Sequence, residues 1–206
     1  PVADEPPPPG DIASDNGEPT GDDVLREYER FTLLLEEQNY DEADISAKRI
    51  IEMVIRVYGP VSHETAKALN NLGYVQNSIG QYDAAIQNFT SAIEILETLG
   101  DRLNSSLVNP LRGLGAAQLG DGRPDLASGT FDRATHITHV NEGPHNIEQV
   151  EILEALAEAN VRRGDLAAAR DVLDRIHILN VRHFADDTLG LLPSLMNRAD
   201  WQHRAG

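Results

Sequence analysis

The sequence predicts an all-α chain: an α-solenoid of antiparallel helix pairs, about four full units followed by a terminal helix. Three observations predict it. Gly80, Gly122, Gly164 and Gly206 are spaced 42 residues apart, and one further step back reaches Gln38. Small residues follow in the same register at Ala43, Ala85, Ala127 and Ala169. Between these markers, apolar residues recur every three to four positions, the period of one helix face. A fixed period of this length marks a repeat architecture, in which one unit cannot bury its apolar face alone and neighbours must stack.

Taken in order, the chain opens with a leader over residues 1–21. It carries Pro6 to Pro9, Gly10 and the acidic residues Asp4, Glu5, Asp11, Asp15 and Glu18. So few large apolar side chains cannot offset the entropy of ordering, so the leader is expected to be disordered or extended, with Pro6–Pro9 in polyproline II. A spacer from an anchor is the favoured role, and a proline-rich ligand for another domain the alternative. The solenoid is expected over 22–206, with units at about 23–58, 62–100, 104–141 and 146–183 and a partial fifth at 188–206.

Within each unit the marker glycine stops the first helix, because glycine reaches the left-handed conformation at little cost. A tight turn then restarts the chain as a second helix. Ala66, Leu69, Leu72 and Val75 form the stripe of one first helix, and Ala85, Phe89, Ala92 and Leu96 that of its partner. Gly59-Pro60 and Gly143-Pro144 lie two periods apart and mark loops between units, since proline cannot continue the preceding helix. Gly100-Asp101 stands there in the middle unit. Gly73, Gly115 and Ala157 let the helices of a unit approach closely, and Phe89 and Phe131 fill the space between units. The chain stops at Gly206, the turn glycine of the fifth unit. Leu191 to Ala205, with Trp201, reads as a first helix without its mate. It is either a cap or the point where a longer protein continues, and the second reading is favoured.

Composition narrows the function. The 206 residues are 40% hydrophobic, enough for a sizeable core, and carry a net charge of −17. Lys48 and Lys67 are the two lysines and the arginines are scattered, so the basic footprint of a nucleic-acid binder is missing. The apolar cluster from Ile50 to Val57 is broken by Glu52 and Arg56, and no membrane span is predicted. With no cysteine, disulfides, thiolate metal sites and cysteine nucleophiles are excluded. A start at Pro1 rather than Met, the absent cysteine and the proline-rich leader lean toward an exported, periplasmic bacterial protein, with a cytoplasmic one as the alternative.

The segment Leu72-Gly73, Gly80, Tyr82, Ala85, Phe89 and Ala92 resembles the tetratricopeptide repeat (TPR). Leu114-Gly115, Gly122, Ala127, Phe131 and Ala134 repeat the pattern with Pro124 at the tyrosine position, and Leu156-Ala157, Gly164, Ala169, Leu173 and Ile176 give a weaker copy. The 42-residue length and the stretch from Gly59 to Ile86, with His63 in its loop, are similar to the kinesin-light-chain subtype. The first unit departs from the pattern, with Phe31 and Ala47 in unusual places. The resemblance implies a right-handed solenoid whose first helices line a concave groove for a protein or peptide partner. The groove positions it implies are Tyr28 and Thr32 in the first unit and Lys67, Asn70, Tyr74 and Asn77 in the second. Asn109 and Arg112 follow in the third, and Glu151, Glu154 and Glu158 in the fourth. It also implies that Asn70 and Asn71, one or both, grip a peptide backbone. The alternative is that Asn71 ties neighbouring helices together.

This groove is expected to be basic toward Lys67 and Arg112 and acidic toward Glu158, which would suit a partner with a basic segment. No catalytic constellation, cofactor site or metal site is predicted. His136 and His139 share a helix face near His145, but two ligands do not close a metal site, so they read as surface histidines. The chain is therefore expected to be a non-catalytic interaction scaffold. Two rival expectations are a self-assembling structural subunit, which implies a homo-oligomer, and the regulatory repeats of a longer enzyme.

Overall fold

Local sequence writes most of the helix ends. Thr20 caps α1 (Gly21–Glu36): its side chain accepts from the Asp23 amide, and the Asp23 carboxylate accepts from the Thr20 amide at 2.8 Å. This reciprocal box satisfies two amides that the helix cannot pair itself. Asn39 caps α2 (Tyr40–Tyr58), Ser62 caps α3 (His63–Ser78) and Asp165 caps α8 (Leu166–His183) through a side-chain oxygen that accepts from a first-turn amide. Pro124 opens α6 (Pro124–Glu142), where its missing N–H costs nothing. The remaining helices are α4 (Tyr82–Leu99), α5 (Val108–Gly120) and α7 (Gln149–Arg162), with a 3-10 turn, Ser105–Leu107, before α5. This computed structural model describes residues 18–184 and Met196, and the described residues form no strand. Nearly all of the expected leader, and the expected fifth unit apart from Met196, lie outside them, together with Trp201 and Gly206.

The chain is the predicted all-α solenoid. Each helix packs on the next in sequence, and the first helices also meet one another, α3 on α5 and α5 on α7. Inside each pair the turn is the same. Gly80, Gly122 and Gly164 have φ of +76°, +74° and +84°. The amide after each glycine donates five residues back: Gln81 to the Gln76 carbonyl, Arg123 to Gln118 and Asp165 to Asn160, at 2.8 to 2.9 Å. In the first pair Gln38 takes this place at φ 56°, and the Asn39 amide reaches the Leu34 carbonyl at 2.8 Å. A side chain there costs roughly 1–2 kcal/mol, against about 0.5–1 kcal/mol for the extra freedom glycine has when unfolded. Gln38→Gly is therefore expected to stabilise the chain by about 0.5–1 kcal/mol, read as a higher urea midpoint. A lower midpoint would show that the Gln38 side chain makes a compensating contact.

Between pairs the two Gly-Pro loops share a clamp. Gly59 and Gly143 both sit at φ +89°. The Gly59 carbonyl accepts from the Thr65 hydroxyl at 2.8 Å, and the Gly143 carbonyl accepts from the Gln149 amide nitrogen at 2.8 Å. Thr65 and Gln149 are both buried and lie two periods apart, so different side chains do one job.

The core explains the odd first unit. Phe89 is 1% exposed, and a Cβ on Gly73 would lie 3.0 Å from its ring while one on Gly113 would lie 2.3 Å away. The ring thus fills the gap between α3 and α5, and both helices are cut back to glycine to admit it. Phe131 repeats this against Gly115, at 2.6 Å from a built Cβ. One period earlier the volumes are exchanged: Ala47 stands where Phe89 would, Phe31 where Gly73 would, and Asn71 where Gly113 would. Phe31 and Ala47 are both buried in one cluster. Without a ring at 47, the large side chain moves to the facing helix.

A groove built by the first helices

A cavity of about 390 Å³ opens over α3, α5 and α7. α3 contributes Asn70, Tyr74 and Asn77, α5 contributes Asn109, Arg112, Gly113 and Ala116, and α7 contributes Glu151, Ile152 and Ala155. Phe89 and Phe131, from the second helices, also line it. The reason is periodic. Residues 70, 74 and 77 recur at helical spacing on α3, and residues 42 positions later fall on the same face of α5 and α7.

Six of the residues expected from the sequence therefore come together: Asn70, Tyr74, Asn77, Asn109, Arg112 and Glu151. Two others meet elsewhere. Tyr28 and Lys67 line a second hollow of about 290 Å³ with Val54 and Tyr58. There the Lys67 ammonium lies 5.3 Å from the centre of the Tyr28 ring, within cation–π range. Burial pushes the Tyr28 hydroxyl up to about 12, and that oxygen has no hydrogen-bond partner among the described residues. Thr32 is exposed and donates to the Tyr28 carbonyl at 2.9 Å. Glu154 borders a shallower hollow beside Arg112 and Glu151. Asn71 is half-buried and lines none of these spaces, nor does Glu158.

The electrostatics differ from a simple basic-to-acidic gradient. Arg112 forms an ion pair with Glu151 across α5 and α7. Glu158 accepts from Arg162 Nε at 2.6 Å, one turn along its own helix. The acidic stripe is thus partly neutralised from within. Sequence spacing placed the carboxylates on one face, but their partners lie 39 residues away in one case and four in the other.

The distinctive feature is in the amides. The Oδ1 atoms of Asn70 and Asn77 are buried and have no hydrogen-bond partner among the described residues. An unpaired buried acceptor costs about 1–3 kcal/mol, so each is primed to take an N–H donor. Gly113, Ala116, Ile152 and Ala155 are the lining residues that sequence reasoning did not name. Stepping the register of Asn71 and Tyr74 on by 42 and 84 residues finds Gly113, Ala116 and Ala155. Among the described residues, no group of three His, Asp or Glu side chains is placed to hold a metal ion, and no helix is long and apolar enough to cross a membrane.

Residues 32–98 match the tetratricopeptide repeat family profile. No curated protein sequence matches the chain significantly. Among solved structures, a kinesin-light-chain-type protein of Podosopora anserina with nearly identical TPR-like repeats superposes with a TM-score of 0.78 at 13% identity, covering 88% of this chain and 85% of its own. BtubC (BKLC) from P. vanneervenii gives 0.70 at 13% identity, covering 90% and 79%. A double mutant of MamA RS-1 gives 0.60 at 17% identity, covering 82% and 80%. At these identities the likeness speaks for the fold. Residues 32–98 thus carry the tetratricopeptide-repeat profile, and the described residues share the helix-pair solenoid fold of these structures.

Proposed function

We propose that the chain is a non-catalytic scaffold that holds an extended peptide segment of a protein partner in the cavity over α3, α5 and α7. The observation that carries this reading is the pair of buried amide oxygens of Asn70 and Asn77 beside that cavity, which have no partner among the described residues. A peptide backbone offers N–H donors at regular intervals, and an asparagine amide can also donate to its carbonyls. Tyr74 is exposed beside them and supplies an apolar face with a polar tip. The Arg112–Glu151 pair suits a partner that carries charges of both signs, since either member can exchange its partner for the ligand's.

Selection from a displayed random-peptide library, followed by amide chemical-shift mapping, tests this. Selected peptides are expected to shift resonances of α3, α5 and α7. The double variant Asn70→Ala with Asn77→Ala is expected to bind them at least about tenfold more weakly, the loss of one to two hydrogen bonds. Peptides that instead map to α2, α4 and α6, or that bind the double variant equally well, would defeat the reading. Stacking of copies at the first unit is disfavoured by its surface. Arg26 and Arg30 stand on α1 where buried Ala68 and Leu72 stand on α3, so charge interrupts that face, on which Leu33 is also exposed.

A further inference from the structure

A separate cavity, of about 250 Å³, lies between α6 and α8 and shares no residue with the groove. It is lined by Asp132, Thr135, His136, His139 and Arg175. The internal repeat shows what is unusual here. One period earlier, Arg133 of α6 pairs with Glu97 of α4 across the second helices. Moving on by 42 residues turns Arg133 into Arg175, Glu97 into His139 and Glu94 into His136. The cation is kept and both carboxylates have become imidazoles. Arg175 turns to the Gln149 side-chain oxygen, and among the described residues its guanidinium forms no ion pair.

Thr135 provides a second, independent sign. It replaces Ile93 of the preceding unit and is 4% exposed. Its hydroxyl oxygen is buried and has no hydrogen-bond partner among the described residues. An apolar residue would serve packing better there, because a buried hydroxyl without a partner is costly. The remaining lining group is an acceptor. Burial holds the Asp132 carboxyl above its usual range, and Arg163 and Arg175 offset only part of that.

We propose that this cavity binds a phosphate-type oxyanion that carries a proton, as free phosphate or as a phosphate monoester. The guanidinium of Arg175, the hydroxyl of Thr135 and the imidazole N–H groups of His136 and His139 donate to its oxygens, taking the place that Glu97 fills in the preceding unit. The Asp132 carboxylate accepts the ligand's own O–H. At about pH 6, the second pKa of a phosphate monoester, such a ligand still holds that proton in part and binds as the monoanion. A carboxylate or sulfate has none and would set an oxygen lone pair against Asp132.

Histidine side-chain resonances of the whole chain test the proposal during titration with inorganic phosphate, methyl phosphate, sulfate and acetate at constant ionic strength. Phosphate is expected to move His136 and His139 saturably and leave His63, on α3, in place. Binding by methyl phosphate as well as phosphate identifies a monoester site, and binding by phosphate alone a free-phosphate site. Arg175→Gln should weaken binding about tenfold or more. His139→Glu should abolish it and raise the melting temperature without phosphate, by restoring the carboxylate that Arg133 enjoys one unit earlier. Sulfate or acetate matching phosphate, shifts that never saturate, or unchanged binding in both variants would overturn it.

Discussion

Phe89→Ala is expected to cost about 3–5 kcal/mol, the usual range for emptying a fully buried aromatic site. That is a large share of the roughly 5–15 kcal/mol that holds a domain together. Phe89 is 1% exposed, and its ring occupies the gap that Gly73 and Gly113 leave open. Neither glycine has a side chain that could lean into the vacancy, so the backbones of α3 and α5 would have to move together for the site to collapse. In a solenoid each unit is stabilised mainly by its neighbours, so the loss should also uncouple the second unit from the third. Urea unfolding followed by circular dichroism would show a lower midpoint and a broader or split transition. A cost below about 1 kcal/mol would mean that α3 and α5 close the gap freely.

Gly113→Ala is the companion expectation, and its sign depends on Phe89. In the natural sequence a Cβ at 113 would lie 2.3 Å from the Phe89 ring, which Gly73 confines on its other side. Overpacking of this severity belongs at the upper end of a roughly 1–3 kcal/mol range. Alanine returns about 1 kcal/mol through its helix propensity, so the net cost should be about 2 kcal/mol. With Phe89→Ala already present, the clash is gone and the same change should stabilise by about 1 kcal/mol. A double-mutant cycle measures the coupling directly. Additive effects would show that the ring and the glycine do not share one space. The first unit already displays the relaxed arrangement, with Ala47 in place of the ring and Asn71 in place of the glycine.

That arrangement also bears on the two asparagines. Asn70 reaches the groove and Asn71 does not. Asn71 stands in the register of Gly113 and Ala155, the column that faces the second helices, and it fits there because no ring stands at position 47. Both residues look alike in the sequence, and the repeat that implies a paired grip says nothing about which of them is diverted into packing. The distinction follows from the volume at position 47, one helix away.

Helix ends, turn glycines and the 42-residue period were legible from the sequence because each rests on local chemistry. A cap needs a polar side chain at one position, a left-handed turn needs a glycine or tolerates a Gln38, and a helix face needs apolar residues three or four apart. Those signals determined the all-α solenoid, and the resemblance to the repeat family pointed to the first-helix positions of Asn70, Tyr74, Asn77, Asn109, Arg112 and Glu151, which line one cavity. Tertiary structure alone decided the charges and the gaps. Among the described residues, Arg112 finds Glu151 across two helices, the amide oxygens of Asn70 and Asn77 are left without partners, and Arg175 forms no ion pair like that of Arg133 with Glu97. Pairing and packing depend on distances between residues about one repeat apart in the chain, and such distances exist only once the units have stacked.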